Sequence, residues 1–145
     1  MRSPTKHDSF QNITWTLLSR VAGAAIERSA LDRSAIALDA IGWATLATDA
    51  EGHGLAPFAH LCLQPHRQAV PEVTMQQLEA LALRHRITHR ERATALTEIL
   101  HAFERDAIDA VVLKGAALAW SIYESPALRP MGDIDLLVRT ADVPR

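Results

Sequence analysis

The residue pattern changes at Ala110, and this change constrains the fold more than any other feature of the sequence. Before it, alanine and leucine dominate, β-branched runs are rare, and apolar residues recur at helical spacing. After it, residues 110–113 form an apolar run that favours a buried strand, and residues 133–138 alternate like a second strand. Residues 116–123 between them have helical spacing. The predicted core is therefore strand–helix–loop–strand.

We predict an α+β fold from this division. A helical N-terminal region would occupy residues 1–109, and the first part of an α/β core would occupy residues 110–145. The chain stops before a third strand could form, so we expect it to be truncated within the core. Because a two-stranded sheet is marginal alone, a partner chain could complete it.

Four helices are predicted in the N-terminal region. Their apolar spacing places them over residues 13–29, 34–48, 58–63 and 72 to about 106, and Pro71 precedes the last one. An unbroken helix of that last length would span roughly 50 Å. It must therefore either extend past the core or bend in its polar segment, residues 84–92.

Composition excludes several classes of protein. With 48% hydrophobic residues and a formal charge of -2, the chain is neither disordered nor a general binder of nucleic acid or membranes. No apolar run approaches the ~20 residues that cross a bilayer. The single Cys62 cannot form an internal disulfide, and the first residues lead into no secretory signal, so a cytoplasmic location is predicted.

The candidate metal ligands are Asp133 and Asp135. Alternation along a strand would place both carboxylates on one face, about 7 Å apart. Oxygen ligands of this kind suit Mg²⁺, and two adjacent like charges are costly without a cation. The alternative is a pair of solvated acids at a strand edge.

Lys114 and Gly115 stand where the first strand turns into a helix, a junction whose free N–H groups favour phosphate. Gly115 would let a ligand approach the backbone closely. Lys114 either pairs with a phosphate or is solvated. Arg129, in a loop constrained by proline and glycine, either neutralises the two acids or reaches a substrate phosphate. The glycine spacing of a P-loop is absent, which excludes a Walker-type NTPase.

Taken together, these residues resemble a known family. The carriers of the resemblance are Val-Leu-Lys-Gly-Ala-Ala-Leu-Ala at 112–119, Tyr123 and Leu-Arg-Pro-Met-Gly-Asp-Ile-Asp-Leu-Leu-Val at 128–138. Upstream, Trp-Ala-Thr-Leu-Ala at 43–47, His-Gly-Leu-Ala-Pro at 53–57 and Val-Pro at 70–71 add to it. The pattern, over roughly residues 40–140, is similar to the uncharacterised nucleotidyltransferase family of the polymerase-β-like superfamily.

The resemblance implies Mg²⁺-dependent transfer of a nucleoside monophosphate from an NTP to an acceptor. Asp133 and Asp135 match the family's metal-binding acids, and Gly115 matches its phosphate-loop glycine. Two departures stand out: Ala116 replaces the usual serine after that glycine, and the usual third carboxylate of a later strand is missing, with only Asp142 following Asp135. The alternative function is therefore a catalytically inactive fragment or remnant that acts as a helical interaction module.

The acceptor is left open among a small molecule, an RNA end and a protein hydroxyl. Residues 84–92, with four arginines and one glutamate, could bind an RNA acceptor, but a solvated helix face is the favoured interpretation. His85 and His89 have a spacing that can hold Zn²⁺, yet no supporting third ligand accompanies them. The three tryptophans are predicted to be core residues.

Overall fold

A computed structural model describes the backbone of residues 6–27 and 29–143, and the side chains of residues 14–27, 29–34 and 36–143. Residues 1–5, 28, 144 and 145, which the predictions above include, lie outside the described part. The chain divides into two compact units, the first ending at Ala82 and the second beginning at Leu83. The division falls within one long helix, and the predicted boundary between residues 109 and 110 stays a prediction.

The described residues are mostly helical with a small antiparallel sheet, which confirms the α+β class. The α-helices are α1 (Lys6–Glu27), α2 (Ala40–Gly52), α3 (Ala56–Leu63), α4 (Glu72–Arg105) and α5 (Lys114–Ser121). The strands are β1 (Ala110–Leu113) and β2 (Asp135–Val138). Short 3₁₀ turns occupy Arg33–Ala35, Gln64–Ala69, Pro126–Leu128 and Thr140–Asp142. None of these helices has both the length and the hydropathy needed to cross a bilayer.

The first unit is built on one apolar cluster shared by α1, α2, α3 and the start of α4. Its fully buried large side chains are Leu17, Leu18, Val21, Leu46, Leu63, Met75 and Leu78. Trp43 belongs to this cluster as predicted, but Trp15 is 51% exposed and lies against the ring of His53 at 4.9 Å. Trp120 of the second unit is 61% exposed, so the core prediction is wrong for two of the three tryptophans.

The second predicted helix begins later than expected. The Asp39 carboxylate accepts a hydrogen bond from the Gly42 amide at 2.8 Å and so caps α2, which therefore starts at Ala40 rather than at residue 34. The helix ends at Gly52, four residues beyond the predicted end at residue 48. Gly54, at φ 68°, adopts the left-handed conformation that closes the helix end.

The prediction of one long helix after Pro71 is confirmed by α4. Its C-terminus closes with the two reversed backbone bonds of a Schellman motif, from Ile108 to Phe103 and from Ala107 to Glu104. Ala107 occupies the left-handed position of this motif with φ 54°, where glycine is the usual residue.

β1 and β2 pair antiparallel over four residues each, from Ala110 opposite Val138 to Leu113 opposite Asp135. The first strand is confirmed at its predicted bounds, but the prediction that it is buried is wrong: Val111 is 56% exposed and the other three residues are only partly buried. The second begins at Asp135 and not at Asp133, because its partner strand ends at Leu113, where α5 begins. The antiparallel ladder thus brings the start of α5 beside the start of β2.

Candidate functional site

Lys114 and Asp135 meet at one end of the two-stranded sheet. Asp135 pairs with Leu113 in the ladder, so the next residue along the chain, Lys114, reaches it. The Lys114 Nζ atom lies 3.1 Å from the Asp135 Oδ1 atom; the lysine side chain is 72% exposed and the aspartate side chain 29%. The structure therefore brings together two of the predicted site residues, in a contact that neither interpretation of Lys114 included.

Lys114 is also held in an unusual backbone conformation. Its φ is 48°, and in the described part of the chain Ala107 is the only other non-glycine residue with a positive φ. A side chain with a Cβ atom adopts this left-handed region at a cost of roughly 1–2 kcal/mol. Such strain is common where the surrounding structure forces a residue into a functional position.

Gly115 permits a close approach at the start of α5. A Cβ atom on this residue would lie 3.2 Å from the Cβ atom of Met131, which is tighter than ordinary van der Waals contact. The loop that leads to β2 therefore packs directly against Gly115. Leu113 is the N-cap residue of α5, and its side chain has no hydrogen-bond acceptor. The first amides of α5 therefore have no side-chain acceptor at the N-cap.

Asp133 lies in that loop and not on the strand. It precedes β2 by two residues and is exposed, so the alternation argument that placed both acids on one strand face does not apply to it. The loop is tied to α4 beside this residue, because the Arg92 Nη2 atom donates a hydrogen bond to the Gly132 carbonyl at 3.3 Å.

Arg92 is a residue of the site that the sequence analysis missed. It had been counted among the four arginines of residues 84–92, for which a solvated face was favoured. It is half-buried, whereas Arg84, Arg86 and Arg90 are exposed. Since Arg92 and Gly132 are 40 residues apart, no local signal marks this contact.

Arg129 is half-buried and keeps an unused donor. Its Nε atom is buried without a hydrogen-bond partner, and within the described residues its guanidinium pairs with no carboxylate. The described residues thus show no neutralisation of the two acids by Arg129, which was one of its two interpretations. The cation that pairs with Asp135 is Lys114.

His89 packs beside the site against an aromatic ring. Its imidazole lies 5.5 Å from the Trp120 ring, its Nδ1 atom is buried without a partner, and burial, with the nearby Arg92 charge, lowers its pKa. No set of three or more His, Cys, Asp or Glu side chains in the described residues could hold a metal ion. What the structure shows at His89 is a tilted contact between its imidazole and the Trp120 ring.

The donor set fits a magnesium ion only when other ligands accompany it. Asp133 and Asp135 offer the hard oxygen atoms that Mg²⁺ prefers, but the part of the chain that the structure describes places no third acid with them. Mg²⁺ commonly binds through one or two carboxylates together with water and substrate phosphates. The residues present thus suit a cation that shares its coordination with a nucleotide, and they form no protein-only cage.

Comparison with protein families assigns the chain. The family model described as "Uncharacterised nucleotidyltransferase" matches residues 39–145, from the cap of α2 onward. The chain belongs to this family. The resemblance inferred from the sequence is confirmed, and the match includes both the helical residues after Asp39 and the two strands.

Membership of this nucleotidyltransferase family carries two general statements. A nucleotide is the expected class of substrate, and a divalent metal is general among nucleotidyltransferases. Neither a search of curated proteins nor a search of solved structures found a match to the chain.

Proposed function

We propose that this nucleotidyltransferase-family protein transfers a nucleoside monophosphate from an NTP to an acceptor in a Mg²⁺-dependent reaction. The single observation that carries the proposal is the convergence at the start of α5. There the half-buried Asp135, the strained Lys114 and the uncapped first turn of the helix lie together. Family membership supports nucleotide chemistry, and this convergence supports the end of the sheet beside α5 as its location.

Each residue has a role in the proposed site that follows from its chemistry. Asp135, fixed by the ladder, and Asp133, in the loop tied by Arg92, would hold the metal. Lys114 and the amide groups at Gly115 would bind phosphate oxygens, because a helix N-terminus favours negative charge. Arg129, with its unused donor, would add a second cationic contact to the phosphates.

The reaction would be in-line attack of an acceptor oxygen on the α-phosphorus, with pyrophosphate leaving. When bound, Mg²⁺ supplies neutralisation of phosphate charge. The protein residues position the triphosphate and stabilise the charge that develops on it, which is the main contribution available in phosphoryl-transfer chemistry. The acceptor class, a small molecule, an RNA or a protein, is left open, as is the NTP base, and we propose a cytoplasmic location.

Two observations favour a second candidate function. The described residues contain no third carboxylate beside Asp133 and Asp135. In addition, Val111 and Leu137, which are paired on one face of the sheet, are both more than half exposed. The first observation favours a catalytically inactive fragment or remnant that acts as a helical interaction module, and the second would let a partner chain cover this face of the sheet. Such a module would form no covalent product from an NTP.

The decisive experiment is equilibrium dialysis of the 145-residue chain against each α-labelled NTP, with Mg²⁺ and with EDTA. Asp133→Asn and Asp135→Asn should lose Mg²⁺-dependent binding and keep the helical circular dichroism. The matched control is Asp109→Asn, which removes an exposed acid that pairs with Arg139 at the other end of the same sheet. Binding by Asp135→Asn equal to that of the unchanged protein would refute the proposed metal site.

Transfer is tested separately from binding. The α-labelled NTPs would be incubated with the chain and with RNA, protein or small-molecule fractions, and the covalent product would be isolated. Label that depends on Asp135 supports the transferase. Nucleotide binding with no transfer to any fraction would favour the inactive module.

A further inference from the structure

The proposed metal ligand Asp135 already has a cation beside it. Among the described residues, Lys114 is the one basic side chain within ion-pair distance of Asp135, with Nζ and Oδ1 3.1 Å apart. We propose that Lys114 is a placeholder cation: in the free protein it neutralises Asp135 and disfavours a divalent ion there. When a nucleotide binds, its ammonium group moves to the phosphates and releases Asp135 to the metal.

The inference rests on the proposed function, because it assigns an order of binding to that same site. The metal would enter with the nucleotide and not before it. A free Mg²⁺ ion that approached Asp135 would meet the Lys114 ammonium at hydrogen-bond distance and be repelled by it. A triphosphate brings enough negative charge to attract both cations, and this attraction offsets their mutual repulsion when the nucleotide is present.

The geometry of Lys114 suits such a movement. Its side chain is 72% exposed, so the ammonium can leave Asp135 without crossing packed residues. Its backbone has a φ of 48° at the first position of α5, and the residue stands where the β1–β2 ladder ends and the first amides of the helix begin. Both anionic targets, the carboxylate and a phosphate at the helix start, would therefore be within reach of the flexible lysine stem.

A second ion pair, at the other end of the same two-stranded sheet, provides the comparison. Arg139 and Asp109 pair at the opposite end of the ladder, at 2.5 Å, with exposed fractions of 73% and 76%. Asp135, at 29%, is far more enclosed, so its charge is screened less by water. Loss of Arg139 removes one positive charge and frees one aspartate, as loss of Lys114 does, but away from the proposed site.

The test is a Mn²⁺ titration of the full chain without nucleotide, in which electron paramagnetic resonance measures the free ion. Lys114→Met should bind Mn²⁺ on the order of tenfold more tightly than the unchanged protein at low salt, and the gain should shrink as salt is added. Arg139→Met should bind as the unchanged protein does. Lys114→Gly, which removes both the charge and the backbone strain, should repeat the gain if Lys114→Met folds poorly.

Two results would overturn the placeholder role. One is Mn²⁺ affinity that is the same in Lys114→Met, Lys114→Gly and the unchanged protein, whether all bind or none do. The other is an equal gain in Arg139→Met, which would make the effect one of overall charge.

NTP dialysis with the same proteins distinguishes this inference from the proposed function. A gain in Mn²⁺ affinity without any NTP binding supports neutralisation of Asp135 by Lys114, but it overturns both the release of Asp135 by a nucleotide and the transferase proposal. NTP binding with unchanged Mn²⁺ affinity supports the proposed nucleotide site and overturns the placeholder role.

Discussion

The strained backbone of Lys114 leads to a prediction about the stability of two variants that both lose its proposed function. Replacement by glycine and replacement by alanine both remove the ammonium group and its contact with Asp135. They differ only in the Cβ atom, which glycine lacks and which makes the φ of 48° unfavourable. We therefore expect Lys114→Gly to be the more stable of the two proteins, although glycine normally weakens a helix.

The magnitude follows from two opposing effects. A residue with a Cβ atom in the left-handed region costs roughly 1–2 kcal/mol, which Lys114→Gly relieves and Lys114→Ala does not. Glycine gives back about 0.4–1 kcal/mol, because its unfolded chain has more conformational freedom. The midpoints of the two ranges give Lys114→Gly a net advantage of about 0.8 kcal/mol in the free energy of unfolding.

The measurement is urea unfolding of both variants followed by circular dichroism, with equal slopes in urea as the condition for comparison. Ala107→Gly is the positive control, since it makes the same change at the other strained position and should also stabilise. Ala80→Gly, at an exposed position inside α4, should lose about 1 kcal/mol. If Lys114→Ala proves as stable as Lys114→Gly while Ala107→Gly gains stability, the strain argument at Lys114 is refuted.

Three further predictions concern other parts of the chain. Asp39→Ala removes the carboxylate that accepts the Gly42 amide hydrogen bond and should cost about 1 kcal/mol in urea unfolding; an equal loss in Asp39→Asn, which can still cap, would contradict this. Burial and the Arg92 charge lower the pKa of His89 from 6.5, so the unfolded chain takes up a proton first and stability falls as the pH drops below 6.5. His89→Gln should lessen that fall and leave the pH dependence above it unchanged; identical slopes would argue against the lowered pKa. Burial raises the pKa of the Cys62 thiol, so a thiol reagent at neutral pH should react slowly with the folded chain and quickly with the unfolded one, and equal rates would be the contrary result.

The elements that sequence reasoning predicted correctly are those whose signals are local. The strand at residues 110–113 is a short apolar run between polar residues, and α4 combines a preceding proline with a long helical period. The start of α2 was wrong because apolar spacing continued upstream of Asp39. The capping aspartate was itself the local signal that could have corrected it.

The start of the second strand was wrong for a reason that local pattern does not contain. Residues 133–138 alternate regularly, but a strand extends only as far as its partner provides backbone groups. The partner ends at Leu113, since Lys114 begins α5, and so the ladder stops at Asp135. Asp133 is left in the loop as an exposed acid.

The same register explains what sequence reasoning could and could not establish about the candidate site. Lys114, Gly115, Arg129, Asp133 and Asp135 were chosen for their chemistry, yet the contact between Lys114 and Asp135 joins residues 21 apart and exists only because Leu113 is opposite Asp135. If β2 slipped by one residue, Asp135 would turn to the other face of the sheet, away from the lysine. The end of β1 therefore sets both the length of β2 and the partner of Asp135. That dependence is why Lys114→Gly tests the backbone at this junction and Lys114→Met tests its charge.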